Sequence, residues 1–138
     1  EGRVAGFRTC MTGEFYGLLS QHSILARTLQ ANSPLDEAMF RRGVMRAGEG
    51  NGLLHDAFGV RALALFDRLS PAQSASYLSG LLIGEELRTQ ELTVSREVIA
   101  IGAPALTARY ALALGEKGVR VRSFGAEATS AGLRALQG

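Results

Sequence analysis

The stretch Glu97-Val98-Ile99-Ala100-Ile101-Gly102-Ala103-Pro104 decides the fold class, together with the alternation Val119-Arg120-Val121-Arg122 that follows it. The continuous apolar run from Val98 to Ile101 has strand length and is the kind a central strand covered on both faces carries. Gly102-Ala103-Pro104 breaks that run. Leu106, Tyr110 and Ala113 then recur at helical spacing, predicting a helix from about Ala105 to Leu114. Gly115 and Gly118 end it, Val119 to Arg122 alternates like a strand nearer an edge, and the small residues from Ala126 to Leu136 close the chain as a helix. Strand, glycine turn, helix, glycine turn, strand, helix is a βαβα unit, right-handed by the usual chirality of such crossovers. The chain is therefore α/β.

Toward the N-terminus the pattern becomes helical. Arg3 to Cys10 is short, rich in β-formers and ends at a helix start, so it is read as a strand. Thr12 suits the cap of the next helix and Glu14 its first turn, where the helix dipole favours negative charge; Phe15, Leu18 and Leu19 carry its apolar stripe to about Ser20. Ser33-Pro34-Leu35-Asp36 and Ser70-Pro71-Ala72-Gln73 share one device: Ser at the cap, Pro at the first helical position and an acceptor three residues on. The first opens a helix through Met39, Phe40 and Gly43 to about Arg46. The second opens a long helix buried on much of its circumference, with Ala75, Leu78, Leu81, Leu82 and Ile83 on it. Leu54 to Leu69 carries a further helix, and Gly48-Glu49-Gly50-Asn51-Gly52 links it to its predecessor.

The 138 residues suit one compact domain better than two. With 46% hydrophobic and 20% charged residues the composition is that of a globular protein, far from disorder. A net charge of +2, from 15 basic and 13 acidic residues, makes no basic stripe, so neither a nucleic-acid nor a membrane-surface partner is expected. One cysteine, Cys10, excludes an internal disulfide framework and suits a reducing cytoplasm; with only two histidines beside it a structural zinc is improbable. The longest uncharged run, Leu69 to Gly84, holds Gln73 and four serines, too polar to span a membrane. No signal peptide is expected, and the start at Glu1 rather than Met leaves upstream sequence unaccounted for.

Few local motifs carry chemistry. The turn at Gly102 follows the carboxyl end of a strand and precedes a helix, where α/β sheets bind ligands, and Gly102 would admit a flat ligand close to the backbone. A plain structural turn is the alternative at this level. Neither a G-x-G-x-x-G nor a G-x-x-x-x-G-K-[ST] phosphate cradle is present. Arg41, Arg42 and Arg46 are offset by Asp36, Glu37 and Glu49 and read as a solvated face. His22 and His55 have no i, i+4 partner that would suggest ligation, and Cys10 reads as a small buried hydrophobe. Thr9, Thr12 and Glu14 gather at a strand-to-helix turn; capping accounts for Thr12, with a phosphate or sugar contact as the sharper alternative.

Three stretches in this frame resemble a known family. Phe7-Arg8-Thr9-Cys10-Met11-Thr12-Gly13-Glu14 resembles the F-R-T-x-M-T-G-E stretch of 2-dehydro-3-deoxygalactonokinases, Tyr77 to Glu86 their L-S-G-L-L-I-G-x-E helix, and Gly102 to Tyr110 their G-x-x-x-L-T-A-R-Y turn and helix. The resemblance covers essentially the whole chain, residues 1–138, and only the family's C-terminal half. It implies the C-terminal, nucleotide-binding domain of a two-domain sugar-acid kinase of the actin-like ATPase superfamily: a ribonuclease H-like fold, with a small mixed sheet flanked by helices and incomplete at its N-terminal edge. The implied reaction is ATP-dependent phosphorylation of 2-dehydro-3-deoxy-D-galactonate at its 6-hydroxyl, with Mg²⁺, in the cytoplasm. The implied partners are that small sugar acid, ATP and the N-terminal domain of the same protein, with assembly into a homo-oligomer left open.

By position, Gly102, Ala103, Pro104 and Leu106 match the superfamily's adenosine motif, and Thr12, Gly13 and Glu14 the family's T-G-E, with contact to phosphate or the interdomain cleft as the implied role. No catalytic or metal-ligating residue is expected in this chain, and alone it would be inactive. Ala103-Pro104 stands where the family is expected to carry Thr-Ser, which removes two hydroxyls and one backbone donor from nucleotide recognition. A regulator or binding protein on the same kinase-like fold is the alternative.

Overall fold

One buried helix organises the molecule. The computed structural model describes residues 6–92 and 97–136. Ser70 Oγ accepts the amide of Gln73, and Gln73 Oε1 accepts the amide of Ser70, the reciprocal cap expected of that sequence. From this start α4 (Pro71–Arg88) runs with every residue from Ser74 to Gly84 buried. Its serines are satisfied within the fold: Ser74 Oγ donates to the Ser70 carbonyl, while Ser76 Oγ accepts the amide of Asp36.

Helix α2 (Glu37–Gly48) lies directly against α4. A Cβ on Gly80 would collide with the carbonyl oxygen of Phe40, and one on Gly43 with that of Tyr77. The two backbones touch where side chains are absent, which is the use to which glycine is put in close packing. Apolar clusters then form on both sides of α4. On one side Leu78, Leu81 and Tyr77 meet Leu25, Ala57 and Val60, drawing in α1 (Thr12–His22), the 3₁₀ turn Ile24–Arg27 and α3 (Leu53–Leu65). On the other, Ile83 and Leu87 meet Phe40, Val44, Ala113, Leu114 and Val119, drawing in α5 (Pro104–Glu116).

The βαβα order is present. β1 (Glu97–Ile101) and β2 (Arg120–Phe124) pair in parallel, Glu97 opposite Arg120 and Ile101 opposite Phe124, with α5 between them in sequence and α6 (Glu127–Leu136) after. Among the described residues the sheet has two strands, both parallel, rather than the mixed sheet expected. The double cover expected for β1 is also absent among them. Val98 packs against the cluster of α4 and α5, whereas Ile99 and Ile101 on the other face are 57% and 53% exposed.

Other expectations shift for identifiable reasons. The strand expected over Arg3–Cys10 lies partly outside the described residues, and residues 6–11 form no strand. The helix expected from Ser33-Pro34 begins at Glu37 instead: Asp36 Oδ1 caps it by accepting the Met39 amide, while Ser33 Oγ donates back to Gln30. The Asp36 amide is held by Ser76, so α4 decides where α2 starts. α3 ends at Leu65, short of Leu69, because Asp67 turns the chain with φ 53°. Gly50 and Gly52, at φ 73° and 97°, form the expected linker. The arginines of α2 are not simply solvated: Arg46 bonds the buried Asp56 at 2.8 Å, and Arg41 pairs with Glu116. Cys10, expected inside, is exposed.

If the α2–α4 contact governs stability, Gly80→Ala should destabilise the protein by about 3 kcal/mol through forced separation of the backbones. Gly17→Ala, on α1 with open space around the added methyl, should be neutral or slightly stabilising. Chemical denaturation of the two variants checks this.

Candidate functional site

The structure brings together residues from three segments far apart in sequence. Thr12 begins α1 as its first helical residue, and Met11 holds the cap position without a side-chain bond. The hydroxyl of Thr12 is therefore not the cap expected of it. It donates instead to Oε2 of Glu86, near the end of α4, at 2.5 Å. The same oxygen accepts the phenol of Tyr110, on α5, at 2.6 Å. Hydrogen bonds to a carboxylate are among the stronger neutral-to-charged contacts, so Glu86 ties α1, α4 and α5 to one point. Arg8 extends the arrangement by donating to the Thr89 carbonyl at 2.9 Å, holding the segment that enters α1 against the end of α4.

A cavity of about 710 Å³ opens beside this carboxylate, its wall including Arg8, Cys10, Thr12, Gly13, Leu106 and Tyr110. The volume is within the range of small-molecule sites. A smaller extension of about 340 Å³ runs along Leu106 and Tyr110 to the exposed face of β1 at Ile99 and Ile101. With Oε2 occupied by two donors, Oε1 of Glu86 is the carboxylate oxygen left to face a ligand.

Burial, and next to it the hydrogen bond to Glu86, pushes the Tyr110 phenol well above its ordinary 10.0. Tyr110 therefore stays a neutral donor at all physiological pH. Arg109, its neighbour on α5, donates to Ser79 Oγ at 3.0 Å and lines a pocket shared with Thr12, Gly13 and Tyr16.

Of the site residues expected from sequence, Thr12, Gly13 and Leu106 line the common cavity. Glu14 is exposed on α1 and is not among its lining residues. Gly102 is half-buried in the turn after β1, and Ala103 and Pro104 are exposed beside it, outside that lining. The Gly102 amide donates to the Phe124 carbonyl at 3.1 Å, so it is engaged with β2. The helix cap at Ala103 has no side-chain hydrogen bond, as its lack of a hydroxyl requires. The first turn of α5 still presents the Ala105 amide, which has no acceptor within the helix.

Sequence reasoning assigned no role to Glu86, Tyr110 or Arg109. A signal was present, since Glu86 ends the second resembling stretch, and Arg109 and Tyr110 end the third. What the sequence could not show is that these ends converge on Thr12 of the first. Among the described residues no group of three or more metal-ligating side chains assembles, and no helix is long and apolar enough to cross a membrane.

Known proteins resemble this chain over nearly its whole length. The sequence pattern of the 2-keto-3-deoxy-galactonokinase family matches residues 1–136. A 2-dehydro-3-deoxygalactonokinase of Escherichia coli is 33% identical over 137 residues, covering 97% of this chain and 47% of its own length. A candidate 2-dehydro-3-deoxygalactonokinase of Rhizobium meliloti is 34% identical over 142 residues, covering 98% and 46% respectively. The crystal structure of a candidate 2-dehydro-3-deoxygalactonokinase from Sinorhizobium meliloti superposes with a TM-score of 0.87 at 34% identity, over 98% of this chain and 45% of that one. The chain thus spans about half the length of the relatives it matches, their C-terminal part.

The Glu86 node has a measurable signature. A phenol whose folded pKa is raised keeps its proton in the native state after the unfolded chain has lost it. The stability it contributes is fully present below pH 10.0 and declines as pH rises from there toward the folded value. Glu86→Gln should shift the Tyr110 transition, followed by phenolate absorbance, to lower pH, because the variant removes a carboxylate that disfavours the phenolate.

Proposed function

The chain belongs to the 2-keto-3-deoxy-galactonokinase family, and from that premise we propose that it is the C-terminal, nucleotide-facing domain, residues 1–138, of a two-domain kinase that phosphorylates 2-dehydro-3-deoxy-D-galactonate at its 6-hydroxyl with ATP. The observation that carries this is the convergence of Thr12 and Tyr110 on the Glu86 carboxylate beside a cavity that Leu106 also lines. In this reading the domain is the C-terminal half of a ribonuclease H-like pair, as in actin-like ATPases. The exposed face of β1 and its unpaired side would be covered by chain that the relatives carry upstream of the matched part. The whole enzyme would act in the cytoplasm, its substrate seated mainly by that upstream part.

Phosphoryl transfer asks a protein chiefly for positioning and charge neutralisation. This chain would supply the first. Leu106 and the extension toward Ile99 and Ile101 would offer an apolar slot for the base, with the turn Gly102-Ala103-Pro104 that follows Ile101 contributing at its margin. Oε1 of Glu86 can accept a sugar hydroxyl. The start of α1 presents amides with no helical acceptor at Thr12 and Gly13, and no atom lies within 4 Å of where a Cβ of Gly13 would sit, so phosphate oxygens can approach that backbone. The cation accompanying ATP finds no ligand cluster among the described residues. Mg²⁺ is held largely by phosphates and water, so such a cluster is not required for it to accompany the nucleotide.

The test is ATP-dependent phosphorylation of 2-dehydro-3-deoxy-D-galactonate by the intact protein. Turnover of that acid is expected; turnover of other sugar acids only would overturn the substrate and leave the kinase reading standing. Leu106→Asp should raise KM for ATP roughly tenfold, equivalent to about 1.4 kcal/mol, with little change in KM for the sugar acid. An equal rise in both would place Leu106 outside the nucleotide slot.

A further inference from the structure

A second cavity, of about 620 Å³, is a crevice between α2 and α3 that Tyr77 of α4 also lines. Its walls are largely apolar, carried by Met45, Gly59, Ala62 and Leu63. One edge is closed by Arg46, which bonds Asp56 at 2.8 Å and Glu49 at 2.6 Å. Two carboxylates on one guanidinium leave that edge with no spare cation. The other cation differs. Arg42 stands over the Tyr77 ring, 5.8 Å from its centroid, and has no carboxylate partner among the described residues. Its fork of donors is the geometry that grips a carboxylate in two places.

Gly59 lines the crevice, and beyond its chain neighbours and its own helix backbone nothing lies within 4 Å of where its Cβ would sit, as is also true of Gly17 on α1. With no side chain at this position, that wall of the crevice is bare helix.

We propose that this crevice is a second binding site, for a small organic acid whose carboxylate pairs with Arg42 and whose apolar body lies on Tyr77, Ala62 and Leu63 against the bare helix at Gly59. The site is separate from the cavity at Glu86, since the two share no lining residue. It does not depend on the nature of the reaction catalysed there.

Benzoate is a suitable probe, titrated into the intact protein by ligand-observed NMR, with inorganic phosphate and benzyl alcohol testing charge and apolar body alone. Saturable benzoate binding is expected, at least tenfold tighter than either control and undiminished by ATP. Gly59→Leu should fill the crevice without harming the fold, and Arg42→Gln should remove the anion's partner; each should weaken benzoate at least tenfold while thermal melting stays close to the parent. Absence of saturable binding to the parent, binding that both folded variants retain, or competition by ATP would each overturn the proposal.

Discussion

The rest of the structure depends on the contact between the backbones of α2 and α4. At Gly43 and Gly80 a single added carbon has nowhere to go. Because the helices can come this close, Phe40 and Val44 reach into the cluster that α5 and the sheet complete, while Tyr77 and Leu81 fill the cluster on the other side. α4 is consequently buried all round along its middle and acts as a fixed axis. Everything that touches its C-terminal end inherits that rigidity, including Glu86.

That placement explains how a carboxylate can organise a site without being deeply buried. Glu86 sits two residues beyond the fully buried stretch, still anchored by Leu87 but open to the cavity. Its partners are neutral hydroxyls rather than cations, so the charge is oriented and not cancelled. A carboxylate held in this way retains acceptor capacity for a polar ligand, whereas one closed by a bidentate arginine does not. Asp56 differs from Glu86 in its partner: buried, it accepts Arg46 Nε at Oδ1 and so holds α3 to α2 through a cation.

The sheet gives the complementary lesson. A parallel pair of strands needs cover on both faces, and β1 has it on one. Its other face leaves Ile99 and Ile101 more than half exposed, and the relatives the chain matches are about twice its length. The open face runs into the cavity at Leu106, so whatever covers the sheet also bounds the proposed nucleotide slot.

Features set by near neighbours were legible in the amino-acid order. The capping box at Ser70, the glycine linker at Gly50 and Gly52, and the alternation of strand, helix, strand and helix after Glu97 each rest on contacts within a few residues, where backbone preference and hydrophobic period act directly. Family membership was legible for a related reason, because three short stretches keep their order and spacing. Only the tertiary structure decided the rest. Thr12 fits a cap by local rules but is drawn to a carboxylate 74 residues away, Asp36 displaces Ser33 because Ser76 on another helix holds its amide, and Cys10 lies exposed where its chemistry suggested burial. In each case the competing interactions are of similar strength. The choice between them falls to whichever partner the packing of α4 has already put in reach, and no local pattern in the sequence records that distance.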